Sequence, residues 1–108
     1  MSDHHPYIHQ VADALRKAGV PVAYVHIDTP EQAADRGREY ALIELTTDRP
    51  VQSFIWTDRH GWMTSTHADH YAILPGEIRP DPAAVAKEAS THIHTLRYGG
   101  YLSPLPLG

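Results

Sequence analysis

Apolar residues near the start of the chain recur with the period of a helix. The four positions are spaced i, i+3, i+7 and i+10, which places them on one face of a helix with about 3.6 residues per turn. They are Ile8, Val11, Leu15 and Ala18. Pro6 suits the first turn, where its missing N–H would have no partner, and Gly19 before Pro21 is typical of a helix end. The pattern predicts an amphipathic helix over residues 6–18.

The middle of the chain changes to the period of two that is typical of half-buried strands. Residues 22–28 and 39–46 predict two strands, and residues 51–66 predict a hairpin. In that hairpin, Asp58 suits the start of a type I turn, and Gly61 suits the left-handed position of the bulge that follows. Residues 71–74 have the composition of a short fifth strand. Residues 29–38 are polar and predict an exposed loop, with at most a short helical turn.

A second amphipathic helix is predicted towards the end of the chain. Asp81 suits the N-cap and Pro82 the first helical position, and an apolar stripe runs from Val85 to Leu96. Short strands joined by short turns predict an antiparallel sheet. The fold class is therefore α+β, a single two-layer domain over residues 1–108. Its sheet of four to five strands carries the N-terminal and C-terminal helices on one face. Residues 101–108, YLSPLPLG, predict an extended, proline-containing tail.

Both faces of the predicted sheet carry bulky apolar groups. One face has Val25, Ile27, Ile43 and Leu45, and the other has Tyr24, Tyr40 and Leu42. Two helices cover only one face, and a contiguous apolar patch is unusual on the surface of a lone monomer. The remaining face is therefore predicted either to contact a partner or to be covered by the tail. A second copy of the chain is the simplest partner, because symmetric dimers are the commonest assemblies.

The hairpin register decides which face receives the aromatic side chains. The predicted pairs are Asp58 with Trp62, Trp56 with Thr64, and Phe54 with Thr66. In this register Phe54, Trp56 and Trp62 share a face, and Val51, Ile55 and Met63 lie towards the other. Inward-facing tryptophans belong to the core, whereas outward-facing ones form a recognition surface. The candidate interaction residues are Tyr24, Tyr40, Leu42, Phe54, Trp56 and Trp62.

Composition limits the function classes. The 108 residues include 42% hydrophobic and 20% charged residues and no cysteine, so one domain without disulfides or zinc thiolates is expected. The net charge is −4 and the basic residues are scattered, which argues against nucleic-acid binding. The chain shows no signal peptide and no apolar run of about 18 residues. These features predict a cytoplasmic protein without a membrane or nucleic-acid partner.

Nine histidines are the candidate chemistry. A zinc site needs three or four convergent ligands. His5 and His9 are spaced i, i+4, but His5 lies at or before the helix start, and His92 and His94 point to different sides of a helix. The alternative interpretation of the protein is therefore a small histidine-dependent enzyme or metal-binding protein that uses His67, Asp69 and His70. A solvated turn is the simpler interpretation of that cluster.

A catalytic relay is not predicted. Ser65, His67 and Asp69 alternate, but i, i+2 neighbours on a strand are about 6.6 Å apart and project in parallel. A nucleophile and its base need hydrogen-bond contact. The same objection applies to His26 and Asp28. No phosphate-binding, dinucleotide-binding or zinc-protease motif is present, so no cofactor and no metal are predicted.

Three stretches, YIHQVADALRKAGVPVA, FIWTDRHGW and LPGEIRPDPAAVA, carry a family resemblance. The chain resembles a small domain family of unknown function found in actinobacteria, especially streptomycetes. Its members show a first helix ending in AAGVPV, a hairpin like VWDEExGW, and the helix start PDPAAVA. The resemblance spans roughly residues 7–89 and implies a cytoplasmic bacterial protein of regulatory type without assigned catalytic residues. We therefore predict a non-catalytic protein-interaction or regulatory domain that forms a homodimer or binds another protein or peptide.

Overall fold

Five strands and three helices make up the part of the chain that the computed structural model describes, residues 5–46, 51–66 and 69–97. In chain order they are α1 His5–Lys17, β1 Val22–Ile27, α2 Pro30–Arg36, β2 Tyr40–Leu45, β3 Ser53–Thr57, β4 Gly61–Ser65, β5 His70–Ala72 and α3 Pro82–Arg97. Residues 47–50, which join the second predicted strand to the hairpin, and the predicted tail at residues 101–108 lie outside the described residues. None of the described helices is long and apolar enough to cross a membrane.

The strands form one antiparallel sheet in chain order, β1-β2-β3-β4-β5. The predicted α+β class is confirmed. The segment predicted as a loop instead contains α2. Thr29 and Gln32 cap this helix reciprocally, each side chain bonding the backbone N–H of the other residue, and Gly37 closes the helix with φ 72°. The TPEQ sequence at residues 29–32 is the signature of that capping box.

One core lies between the sheet and the helices α1 and α3. The two helices pack against each other, α1 also contacts β1, and α3 also contacts β4. The largest fully buried side chains of this core are Ile8, Val11, Leu15, Ile43, Leu45, Val51, Phe54, Trp56, Trp62 and Val85. Both helices therefore cover the same face of the sheet, as the two-layer prediction required.

The hairpin pairs two residues away from the predicted register. Trp56 lies opposite Trp62, Phe54 lies opposite Thr64, and Thr57 closes the turn against Gly61. The Thr57 hydroxyl accepts a hydrogen bond from the His60 N–H, at 3.0 Å. This bond stabilises the end of β3 at Thr57. A shift of two residues keeps every side chain on its predicted face, because the strand repeat is two residues.

The aromatic side chains of the hairpin face the helices. Phe54 and Trp56 are fully buried, and Trp62 is 1% exposed. They belong to the core, so the prediction that placed them in an interaction surface is corrected for these three residues. Val51 also lies in the core, although it was predicted on the opposite face. Val51 lies two residues before the start of β3, so the alternation of the strand does not determine which way its side chain points.

The two tryptophans each donate their indole N–H to a partner outside the sheet. Trp56 Nε1 donates to the Ile78 carbonyl oxygen at 2.6 Å. Trp62 Nε1 donates to the Tyr7 hydroxyl at 3.0 Å, and that hydroxyl donates to the Pro80 carbonyl oxygen at 2.7 Å. Burial raises the pKa of Tyr7, so the phenol keeps the proton that it donates. These bonds tie α1 and the segment before α3 to the same pair of strands.

We expect Tyr7→Phe to destabilise the fold. The substitution leaves the Trp62 indole N–H and the Pro80 carbonyl without their shared partner, and an unsatisfied buried polar group costs about 1–3 kcal/mol. Chemical denaturation measures the free energy of unfolding. Tyr24→Phe is the matched control, because Tyr24 is 54% exposed and its hydroxyl bonds no described residue. Equal stabilities of the two variants would contradict the role assigned to the Tyr7 hydroxyl.

A second prediction concerns Gly61, which has φ 70°. A Cβ built there would overlap the Glu77 carbonyl oxygen, so Gly61→Ala must displace backbone. Gly37 has the similar φ of 72° but nothing within 4 Å of its Cβ position. Gly37→Ala therefore measures the conformational strain alone, of about 1–2 kcal/mol. Thermal unfolding should show a larger loss for Gly61→Ala, and equal losses would show that the close approach is unimportant.

Candidate functional site

The sheet face opposite α1 and α3, hereafter the open face, carries a row of side chains that crosses all five strands. Residues that pair across antiparallel strands share a face, so the row can be followed from strand to strand. We call this row the central row. Its members are His26, Leu42, Ile55, Met63 and Ala72. The row is apolar except at its β1 end.

Exposure along the open face is greatest on the side of β1 to β3. Tyr24 is 54% exposed, Leu42 and Ile55 are half-buried, and Met63 is 3% exposed. Three of the predicted interaction residues, Tyr24, Tyr40 and Leu42, lie on this face. The tyrosine and aliphatic face of the sheet is thus more accessible to solvent than its tryptophan face.

A depression of about 280 Å³ lies on one side of the central row. Leu42, Glu44, Gln52 and Ser53 contribute to its lining. Glu44 is exposed and pairs in register with Tyr24 and Ser53. Its carboxylate has no hydrogen bond or ion pair with any residue that the structure describes. This side of the row therefore presents an open negative charge.

A connected group of polar side chains lies on the other side of the central row. Asp28 has a side chain that is only 1% exposed, yet its carboxylate bonds two neighbours. His26 Nε2 lies 2.8 Å from Asp28 Oδ1, and Arg36 Nε donates to Asp28 Oδ2 at 2.5 Å. The Arg36 guanidinium also lies over the Tyr40 ring, 4.4 Å from its centroid. A buried carboxylate and an aromatic face thus hold Arg36 in place.

Arg36 and Tyr40 also affect each other electrostatically. Burial raises the pKa of Tyr40, and the positive charge of Arg36 opposes that rise. The tyrosine therefore remains neutral and offers its ring as a cation–π surface. The Arg36 side chain is 49% exposed, so the part of its guanidinium that Asp28 does not occupy can meet a ligand. This side of the row therefore presents an ordered guanidinium, whose charge the buried Asp28 carboxylate partly balances.

The contact between His26 and Asp28 differs from what strand geometry predicted. Parallel projection would keep the two side chains about 6.6 Å apart. Asp28, however, follows the last residue of β1, where the chain turns towards α2, and its side chain folds back to His26. The participation of Arg36 was missed altogether. The capping box at Thr29 was the available signal, because it begins the helix that ends at Arg36.

The histidine cluster that supports the alternative interpretation does not converge among the described residues. His67 lies outside them. The Asp69 carboxylate accepts a bond from the Tyr71 hydroxyl at 3.4 Å, whereas His70 Nε2 lies 3.5 Å from the Ser65 hydroxyl. Within residues 5–46, 51–66 and 69–97, no three His, Cys, Asp or Glu side chains are arranged to hold a metal ion. The histidine-dependent enzyme stays a prediction that these contacts do not favour.

His92 is a packing residue of α3. It is 8% exposed, and its Nδ1 atom is buried without a hydrogen-bond partner among the described residues. Burial lowers the pKa of His92, and the nearby Glu88 carboxylate opposes that shift. His94, two residues further along the helix, is exposed. The two imidazoles therefore lie in different environments, as the helical geometry predicted.

Comparison with known proteins identifies a family for the chain. Residues 7–91 match the family described as Family of unknown function (DUF6292). The match includes both tryptophans, the Asp28–Arg36 pair and Glu44. No curated protein and no solved structure matches the chain.

The burial of His92 generates a prediction about pH. The unfolded chain protonates this imidazole near its ordinary pKa of about 6.5, whereas the folded chain resists protonation. The stability that neutral His92 contributes is thus complete above about pH 6.5 and is lost as the pH falls below it. His92→Gln should lose less stability than the unsubstituted chain between about pH 8 and pH 5. Chemical denaturation at each pH measures the free energy of unfolding of both proteins. If the two free energies fall equally between pH 8 and pH 5, the assignment is contradicted.

Proposed function

We propose that this chain, which belongs to the family of unknown function DUF6292, is a non-catalytic interaction domain that forms a homodimer through its open face. The observation that carries the proposal is the apolar central row on the sheet face that α1 and α3 leave uncovered. Leu42 and Ile55 are only half-buried there, with Tyr24 exposed beside them. Partly exposed apolar groups that lie together on one surface favour association, because contact removes their remaining accessible area from water.

We propose a second copy of the chain as the partner that binds this face. In a symmetric dimer the same patch serves on both sides, so a row placed against its own counterpart buries Leu42 and Ile55 of both copies. The part of the face on β1 to β3 measures roughly 15 by 17 Å from ordinary strand spacings. The area enclosed by these lengths is well below the ~800 Å² that each partner buries in a standard interface. We therefore expect a dimer that dissociates on dilution.

Leu42→Asp should abolish dimer formation, because it places two carboxylates at the centre of the contact without altering the core. Gln10→Asp is the matched control, since it adds the same charge to an exposed position on α1. Sedimentation velocity over a concentration series measures the average mass of each protein. The unsubstituted chain and Gln10→Asp should both approach the mass of a dimer as concentration rises, while Leu42→Asp stays monomeric.

Two other results would reject the proposal. An unsubstituted chain that stays monomeric at every concentration would show that no second copy binds the open face. If removal of residues 98–108 then produced a dimer that Leu42→Asp abolished, those residues, and not a partner, would occupy the face in the intact chain. A dimer that Leu42→Asp leaves unchanged would place the contact elsewhere on the molecule.

A further inference from the structure

Arg36 and Glu44 lie on opposite sides of the central row. On β2, Leu42 lies midway between Tyr40 and Glu44. Arg36 lies over Tyr40, and the depression opens beside Glu44. One side of the row thus carries a half-exposed guanidinium stacked on the Tyr40 ring, and the other carries a recess with a carboxylate in its lining.

A two-fold axis that runs along the central row exchanges these two sides. Rotation by half a turn keeps each strand at its position across the sheet but reverses the direction along it. Leu42 of one copy then faces Leu42 of the other, and the Tyr40 end of β2 faces the Glu44 end. Sheets packed face to face in this way keep their strands nearly aligned and lie about 10 Å apart.

We infer that in this dimer the Arg36 side chain of each copy enters the depression of the other copy and pairs with its Glu44 carboxylate. The inference rests on the proposed homodimer and adds its orientation and its specificity. It assigns the depression a ligand of defined chemistry, a guanidinium group presented by a second copy of the chain. The dimer contains two such pairs, one on each side of the axis.

Arg36 is already ordered for this contact. The buried Asp28 carboxylate holds its Nε atom and the Tyr40 ring supports its guanidinium plane, so little side-chain entropy remains to be lost on binding. The terminal nitrogens of a guanidinium held at Nε can still donate to a carboxylate. Glu44 supplies the acceptor, since it is exposed and bonds no described residue.

The pairing is complementary in charge. A dimer rotated about an axis along the strands, instead of along the row, would place Arg36 on the same side as its counterpart and Glu44 near its own counterpart. Like charges facing each other disfavour that arrangement. The Arg36–Glu44 pairs therefore select one orientation of two apolar rows that would otherwise slide or rotate.

Charge reversal tests the pairing directly. Glu44→Arg gives a chain with positive charges on both sides of the row, and Arg36→Glu gives one with negative charges on both sides. Each variant alone should dimerise at least about tenfold more weakly than the unsubstituted chain, because each homodimer contains two like-charge pairs.

An equimolar mixture should recover dimer formation. The native Arg36 of the first variant then meets the native Glu44 of the second, and the two introduced side chains form the other pair of opposite charges. Sedimentation velocity or native mass spectrometry of the mixture reports the heterodimer.

The outcomes separate the inference from the proposal on which it rests. If the unsubstituted chain does not dimerise, both fail. If it dimerises and Glu44→Arg dimerises equally well, or if the folded variants do not recover on mixing, the pairing is overturned while the homodimer stands.

Arg36→Glu places a second carboxylate beside Asp28, so its fold must be checked by circular dichroism. Should it be unfolded, cross-linking gives the answer with conservative variants. The chain has no cysteine, so each introduced thiol is unique. With a bismaleimide that spans about 10 Å, the expected spacing of the sheets, Leu42→Cys should cross-link to itself more than tenfold faster than Glu44→Cys. Equal rates, or faster linkage of Glu44→Cys, would overturn the axis and with it the pairing.

Discussion

Two buried indole N–H groups are the constraint on which the rest of the structure depends. Tryptophan brings a large apolar surface into a core, but its N–H must find an acceptor there. Trp56 and Trp62 lie side by side in the hairpin, and neither finds its acceptor within the sheet. The Ile78 carbonyl and the Tyr7 hydroxyl supply the acceptors. The segment before α3 and the first turns of α1 are therefore held on the tryptophan side, and the core forms there.

The composition of the open face follows from the burial of the tryptophans on the helix side of the sheet. Because strands alternate, committing Phe54, Trp56 and Trp62 to the helices commits Ile55 and Met63 to the opposite surface. Neighbouring strands extend that surface through Leu42 to the edge of the sheet. The same alternation places Glu44 there, and α2 carries Arg36 across the edge to Tyr40. An apolar row with opposite charges on its two sides is thus a consequence of how the tryptophans are buried.

Much of this fold could be predicted from local patterns, because local physics determines it. The 3.6-residue stripe of α1 and the alternation of β2 each follow from which side chains must leave water. The shared face of Phe54, Trp56 and Trp62 was predicted even though the hairpin register was wrong, because faces survive a shift of two residues. The contacts of Asp28 were not predictable in this way. They join a strand end to a helix end eight residues away, and only the three-dimensional path of α2 brings Arg36 to that carboxylate.

Binding of a second copy of the chain to the helix-free face of the sheet can be tested without any substitution, by amide NMR spectra recorded over a concentration series. Dimerisation through this face predicts shifts that grow with concentration and are concentrated on the open-face positions of β1 to β3, around Leu42, Glu44 and Ile55. The buried positions of α1 should stay constant. Spectra that do not change with concentration, or changes centred on α1 and α3, would contradict dimerisation through the open face.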